Sequence, residues 1–143
     1  MADTKAQITA EDWIREKYLP KKYGQSFQQK NLELQSRAQA KFAAVSDDGE
    51  IVAAICTSAG FTSNGKKATD ELQKVRSDAL RFLMLAARPQ KRLMIFTDPS
   101  MIDVVRDEKK RDRFPKELEI LRVKLPADLA ERVAESQRLS SEE

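Results

Sequence analysis

The side chains that could carry chemistry in this chain are carboxylates, lysines, arginines and hydroxyls, because its 143 residues include no histidine. That absence excludes Ser-His and Cys-His nucleophile systems, histidine general bases and the usual zinc sites. The single cysteine, Cys56, cannot form an internal disulfide and fits a reducing cytoplasm. An enzyme built from these residues would therefore use carboxylates, lysines, hydroxyls or a hard metal ion such as Mg²⁺.

Two basic segments could contact the phosphates of DNA. One is the pair Lys66-Lys67, and the other lies between Arg106 and Arg113, where acidic residues dilute the positive charge. Such a run is more often a solvated helix end, and we expect residues 106–113 to emerge into solvent. The net charge of +3 permits contact with a phosphate backbone without requiring it. The predicted nucleic-acid contacts are Lys66, Lys67, Lys109, Lys110, Arg111 and Arg113.

The glycine-containing stretch 60–67 resembles a phosphate-binding loop only superficially. It follows a predicted strand and precedes a predicted helix, but it ends in Gly65-Lys66-Lys67 and lacks the Gly-Lys-Ser/Thr ending. A nucleotide site there is a weak prediction. A loop that lies near a nucleic-acid backbone fits the two lysines better.

The elements that must position these residues are organised around a predicted hairpin at residues 41–58. Two apolar runs, 42–46 and 51–58, flank Asp47-Asp48-Gly49-Glu50. An Asp-Gly turn between apolar runs is a strong hairpin signal, because glycine adopts the positive φ that the turn needs. Alternation of apolar and polar residues from Gln29 to Gln35 predicts a strand before the hairpin.

The remaining elements complete one predicted α/β domain over residues 1–143. They are a helix from Thr9 to Pro20, a helix over 69–87, a strand over 93–96, a helix capped by Asp98 and Pro99, a strand over 118–125 and a helix that opens at Pro126. The resulting order, α-β-β-β-α-β-α-β-α, predicts a mixed central sheet flanked by helices. No stretch approaches the roughly 20 apolar residues needed to cross a bilayer, so we expect no membrane partner and a cytoplasmic location.

Within this order, the hairpin resembles the restriction-endonuclease-like, or PD-(D/E)XK, nuclease superfamily. The residues that match its hairpin pattern are Phe42, Val45, Ser46, Asp48, Gly49, Ile51 and Val52. The resemblance covers about residues 29–97, with residues 98–139 as a C-terminal β-α extension. It implies a core of α-β-β-β-α-β type and Mg²⁺-dependent cleavage of DNA, in which two carboxylates hold the metal and a lysine activates water.

The residues that the superfamily uses for this chemistry are missing. The first acid position falls on Ala43, and the acid-x-lysine triplet falls on Ala54-Ile55-Cys56. A methyl group cannot bind a metal, and a buried thiol poorly replaces an ammonium. The alanines reflect either natural loss of the site or deliberate substitution. The resemblance therefore implies no catalytic residue and no cofactor at these positions.

A relocated site is the alternative, in which an acid or lysine from a neighbouring element reaches the same pocket and binds Mg²⁺. The candidates are Glu33, Glu50, Glu71 and Lys67. The simpler interpretation of Glu71 is a solvated residue that complements the dipole of its helix.

The leading functional prediction is a diverged, non-catalytic nuclease-fold protein that binds nucleic acid or a protein partner. The alternatives are a metal-dependent nuclease with the relocated site and a homodimeric interaction module.

Overall fold

The computed structural model describes residues 5–61 and 64–142, with side chains described as far as residue 138. Five strands form one open sheet in the order β1-β2-β3-β4-β5. Their bounds are Phe27–Glu33, Gln39–Ser46, Ile51–Cys56, Lys91–Phe96 and Glu119–Arg122. The pairs β1·β2 and β2·β3 are antiparallel, whereas β3·β4 and β4·β5 are parallel. The predicted α/β class with a mixed central sheet is therefore confirmed.

Helices make the two parallel crossovers, α3 (Thr69–Leu83) between β3 and β4 and α4 (Pro99–Lys110) between β4 and β5. A further helix, α5 (Ala127–Glu142), follows β5. The start of α4 agrees with its prediction, since the Asp98 carboxylate accepts a hydrogen bond from the Ser100 backbone N–H at 2.9 Å.

The N-terminal helical region extends beyond both ends that the sequence predicts. It consists of α1 (Lys5–Trp13), a π-helical segment (Ile14–Tyr18) and α2 (Leu19–Tyr23). Thr9 does not begin the helix, because its hydroxyl donates to the Lys5 carbonyl one turn earlier, at 2.8 Å. Pro20 does not end it, because it lies in the first turn of α2, where the missing N–H of a proline is tolerated. Gly24, with a φ of +72°, caps the end.

The hairpin turn depends on a buried serine as well as on glycine. Gly49 has a φ of +74°, and its N–H donates to the Ser46 carbonyl at 2.9 Å. The Ser46 hydroxyl is buried, donates to Asp48 Oδ1 at 2.7 Å and accepts from the Ile51 N–H at 3.0 Å. These bonds fix the spacing between β2 and β3.

β2 carries an extra residue where it pairs with β1. Gln28 pairs with Val45, and Lys30 pairs with Phe42. The interval between these two pairs is therefore three residues long in β2 but only two in β1. A β-bulge of this kind changes which face of the sheet the following side chains occupy. Phe42 accordingly packs on one face and Ala44 on the other, although alternate residues of a regular strand share a face.

The sheet separates two apolar layers. The layer under α3 and α4 includes Phe42, Val75, Phe82, Met101 and Val105. The layer under the N-terminal helices and α5 includes Ala10, Ile14, Leu93, Ile95 and Val133. Helices therefore cover both faces of the sheet.

Two predicted elements are shorter than the sequence pattern suggests. α3 ends at Leu83 and not at Ala87, because Leu85 leaves the helix to form a β-bridge with Leu34. The last strand covers only Glu119–Arg122 of the predicted 118–125.

Candidate nucleic-acid interface and cavity

A cavity of about 280 Å³ opens beside the bulge of β2. Ala43 and Ala54, the positions at which the nuclease resemblance expects acids, both line it. The other described residues that line it are Glu11, Gln29, Lys41, Phe42, Ile55, Asp78 and Arg81. The two acid positions thus share one cavity but present only methyl groups to it.

The charged groups of this cavity come from three elements. Glu11 lies on α1, Lys41 on β2, and Asp78 and Arg81 on α3. Burial raises the pKa of Glu11; the Arg15 guanidinium opposes part of that shift, and Asp78 adds to it. Burial also raises the pKa of Asp78, against the attraction of Arg81, whose Nη1 lies 3.5 Å from Asp78 Oδ1. The cavity therefore contains two carboxylates and a lysine that the sequence pattern did not identify.

A cation is fixed beside the first lost acid position. Arg15 Nη1 donates to the Ala43 carbonyl at 3.1 Å, and its other nitrogen, Nη2, pairs with Asp12. The residues at positions 43 and 54 do not fit a metal ion, because an alanine side chain offers no ligand.

Cys56, the third position of the lost motif, is not among the described residues that line the cavity. Burial raises the pKa of its thiol to about 11. The side chain is therefore neutral at physiological pH and cannot replace the ammonium group of a lysine.

The relocated candidates also lie outside the described lining of the cavity. Glu33 is exposed at the end of β1, and the Glu50 carboxylate accepts from the Gln90 backbone N–H at 3.1 Å. Glu71 accepts from the Ser58 hydroxyl at 2.9 Å. Lys67 pairs with Glu108 on α4 at 3.9 Å. Among residues 5–61 and 64–142, no three histidine, cysteine or acidic residues are grouped as a metal site requires.

The two basic segments predicted from the sequence meet at Glu108. This residue is 3% exposed, which corrects the expectation that its whole segment, 106–113, emerges into solvent. Glu108 Oε1 lies 3.9 Å from Lys67 Nζ and 2.8 Å from Arg76 Nη2. The Glu108 backbone carbonyl accepts from the Arg113 N–H at 2.9 Å. The basic loop before α3 and the end of α4 are therefore neighbours.

Two cations pair with Glu108, and four others belong to the two segments that meet there. We call these six residues the basic surface: Lys66, Lys67, Arg76, Lys110, Arg111 and Arg113. Five of the six predicted nucleic-acid contacts belong to it. Lys109 does not, because its ammonium donates to the Leu118 carbonyl at 3.0 Å and so supports the chain after α4. Arg111 pairs with Asp107 at 3.3 Å, whereas Lys66, Lys110 and Arg113 are exposed.

A sequence pattern could have predicted that Glu108 is buried, but none predicts the charged cavity. Glu108 follows the buried Val104 by four residues and the buried Val105 by three, so it continues the buried stripe of α4. Glu11 on α1 and Asp78 on α3 line one cavity, although the two helices pack in different apolar layers. No local pattern encodes that arrangement.

The chain matches no protein-family model, no curated protein and no solved structure. The restriction-endonuclease-like resemblance therefore stays a prediction. No helix within the described part of the chain combines the length and apolar character needed to cross a membrane.

Proposed function

We propose that this protein is a diverged, non-catalytic member of the restriction-endonuclease-like fold and that it binds nucleic acid through the basic surface. The observation that carries the proposal is the contact of Lys67 and Arg76 with Glu108, which joins two basic segments about 40 residues apart in the sequence. Phosphate contacts from clustered lysines and arginines supply most sequence-independent affinity for nucleic acids.

The absence of cleavage in this proposal is supported by Ala43 and Ala54. Both line the cavity where the resemblance expects metal ligands, and Arg15 bonds the Ala43 carbonyl. The strand directions also support the fold, because an antiparallel β1-β2-β3 meander followed by a helix and a parallel β4 accommodates an α-β-β-β-α-β core.

Salt dependence of binding to a labelled DNA duplex tests the proposal. With about four phosphate contacts, affinity should fall roughly a hundredfold between about 50 and 200 mM salt. The double variant Lys110→Ala/Arg113→Ala should bind about tenfold more weakly and reduce the slope of log K against log salt by about two. The control, Lys91→Ala/Arg122→Ala, removes the same charge from β4 and β5. Equal losses in both variants, or no binding at low salt, would refute the proposal.

A metal-dependent nuclease with a relocated site is the second candidate function. The observation that favours it is the presence of Glu11, Asp78 and Lys41 in one cavity. In this candidate the two carboxylates would hold Mg²⁺, which would activate water for attack on a phosphodiester. Lys41 would lie beside that water.

The second candidate predicts both metal binding and cleavage. Mg²⁺ or Mn²⁺ should raise the melting temperature and support DNA cleavage, and Asp78→Asn should abolish both effects. Glu33→Gln, an exposed carboxylate outside the described lining, is the control. A melting temperature unaffected by either metal would exclude this candidate, whatever the outcome of the cleavage assay.

A further inference from the structure

An exposed aromatic ring adjoins the basic surface. Phe61 is 46% exposed, and its backbone forms an isolated antiparallel bridge with Lys67. Residues paired directly across antiparallel strands project on the same side. Phe61 and Lys67 therefore present a ring and an ammonium group to one region of solvent.

The buried carboxylate of Glu108 pairs with two of the cations. Its side chain is 4% exposed, whereas the side chains of Lys67 and Arg76 are 48% and 38% exposed. Both cations approach the same oxygen, Oε1, so their nitrogens lie close together. An approaching phosphate would meet the cations first, because the carboxylate is hidden beneath them.

This arrangement is costly for stability alone. Glu108 Oε2 is buried and has no hydrogen-bond partner among the described residues. A buried polar atom without a partner destabilises a fold, and an apolar side chain would pack in that place at lower cost. Glu108 does, however, restrict two long side chains before any ligand binds, and such preorganisation increases affinity.

We propose that Phe61, Lys67 and Arg76 form a site for one nucleotide of a single-stranded nucleic acid, with Glu108 as the positioning residue. The inference rests on the proposed nucleic-acid function and adds a preference for single strands. An unpaired base exposes its face to the Phe61 ring, while its phosphate meets Lys67 and Arg76. In a duplex the neighbouring bases cover that face.

Fluorescence anisotropy with a labelled single strand and a duplex of equal length tests the role of Phe61. Phe61→Ala should weaken single-strand binding about tenfold and leave duplex binding within about twofold. The control is Leu80→Ala, which removes another exposed apolar side chain, from α3. Equal losses for both nucleic acids, or no loss, would refute the single-strand preference.

Alanine variants of the cations test the phosphate contact. Lys67→Ala and Arg76→Ala should each lower the salt slope by about one. Lys91→Ala is the matched control, since Lys91 is 47% exposed and also pairs with a carboxylate, Glu119, at 3.7 Å. A change in Lys91→Ala equal to that in Lys67→Ala would show a general charge effect and refute the site.

Glu108→Gln tests the positioning role, because the amide has the same shape without the charge. It should weaken single-strand binding about threefold, although it makes the protein more positive. In the Lys67→Ala/Arg76→Ala background the same change should have no effect, since the groups that Glu108 holds are absent. Tighter binding by Glu108→Gln, or an equal loss in both backgrounds, would refute positioning. If the wild-type protein binds neither nucleic acid, the proposed function itself fails; if it binds both equally, only the single-strand inference fails.

Discussion

Glu11 and Asp78 bind protons more tightly in the folded chain than in the unfolded chain, because burial raises the pKa of both carboxyl groups. The folded state therefore holds more protons over the acidic range between the ordinary and the raised pKa values. The free energy of unfolding falls as the pH rises through that range. At neutral pH the two ionised carboxylates consequently destabilise the fold relative to their neutral forms.

We expect Glu11→Gln and Asp78→Asn to raise the melting temperature at pH 7. The gain should shrink as the pH falls through the raised pKa values and should be lost below the ordinary ones, where the wild-type carboxyl groups are protonated in both the folded and the unfolded chain. Circular dichroism melts across this pH range measure the effect. No gain at pH 7, or a gain that stays equally large in acid, would contradict this prediction.

The thiol of Cys56 should resist alkylation in the native protein. Burial raises its pKa from 9.0 to about 11, so at pH 8 the native chain holds roughly a hundredfold less thiolate than the unfolded chain. Iodoacetamide should therefore label Cys56 slowly in buffer and quickly in urea. Relative to Cys56→Ala, the wild type should also lose stability as the pH rises from about 9 to about 11. Equal labelling rates in the two conditions would contradict this environment.

The sequence predicts the role of a residue where that role depends on its neighbours along the chain. The lost acid positions Ala43 and Ala54 could be paired by their places on a hairpin, and they share a cavity. Glu11 and Asp78 could not be identified, because they are 67 positions apart in the sequence and lie on different helices.

Among the elements, the hairpin between β2 and β3 depends on Ser46. Its hydroxyl satisfies the buried Ile51 N–H and also binds Asp48. We expect Ser46→Ala to lower the free energy of unfolding by about 1–3 kcal/mol, because that N–H loses its partner. Urea unfolding measures the loss. Ser77→Ala, at an exposed position of α3, is the control and should change stability by less than about 0.5 kcal/mol.

Element ends follow the sequence only where the signal is local. Asp98 and Pro99 start α4 as predicted, since capping involves residues two or three apart. The end of α3 depends on Leu34, which draws Leu85 out of the helix from 51 residues away in the sequence. Pro20 wrongly predicts the end of a helix, because it lies in the first turn of α2.

For the molecule as a whole, α5 packs beside α1 and covers part of the apolar layer that lies under the N-terminal helices. Gln7 on α1 and Ser136 on α5 exchange hydrogen bonds of 3.0 and 3.2 Å, and the α5 residues Leu129 and Val133 are buried. The segments near both ends of the chain therefore contribute to one core.

We expect Leu129→Ala to lower the free energy of unfolding by about 2–5 kcal/mol, because it leaves a cavity in that layer. Chemical denaturation of the full chain measures the change. Leu80→Ala should cost less than about 0.5 kcal/mol, since Leu80 is 57% exposed. Equal costs for the two leucines would contradict the assignment of α5 to the core.

The bulge of β2 makes Ala43 a residue that the strand can lose without moving its neighbours to other faces. Phe42 and Ala44 pack on opposite faces of the sheet. Deletion of Ala43 would make them adjacent in a regular strand, where adjacent residues also project to opposite faces. Deletion of Lys41, where the pairing is regular, would instead make Ala40 and Phe42 adjacent and move one of them out of the layer that they share. We therefore expect the Ala43 deletion to fold and the Lys41 deletion to be much less stable, and thermal melts of the two variants would show the difference.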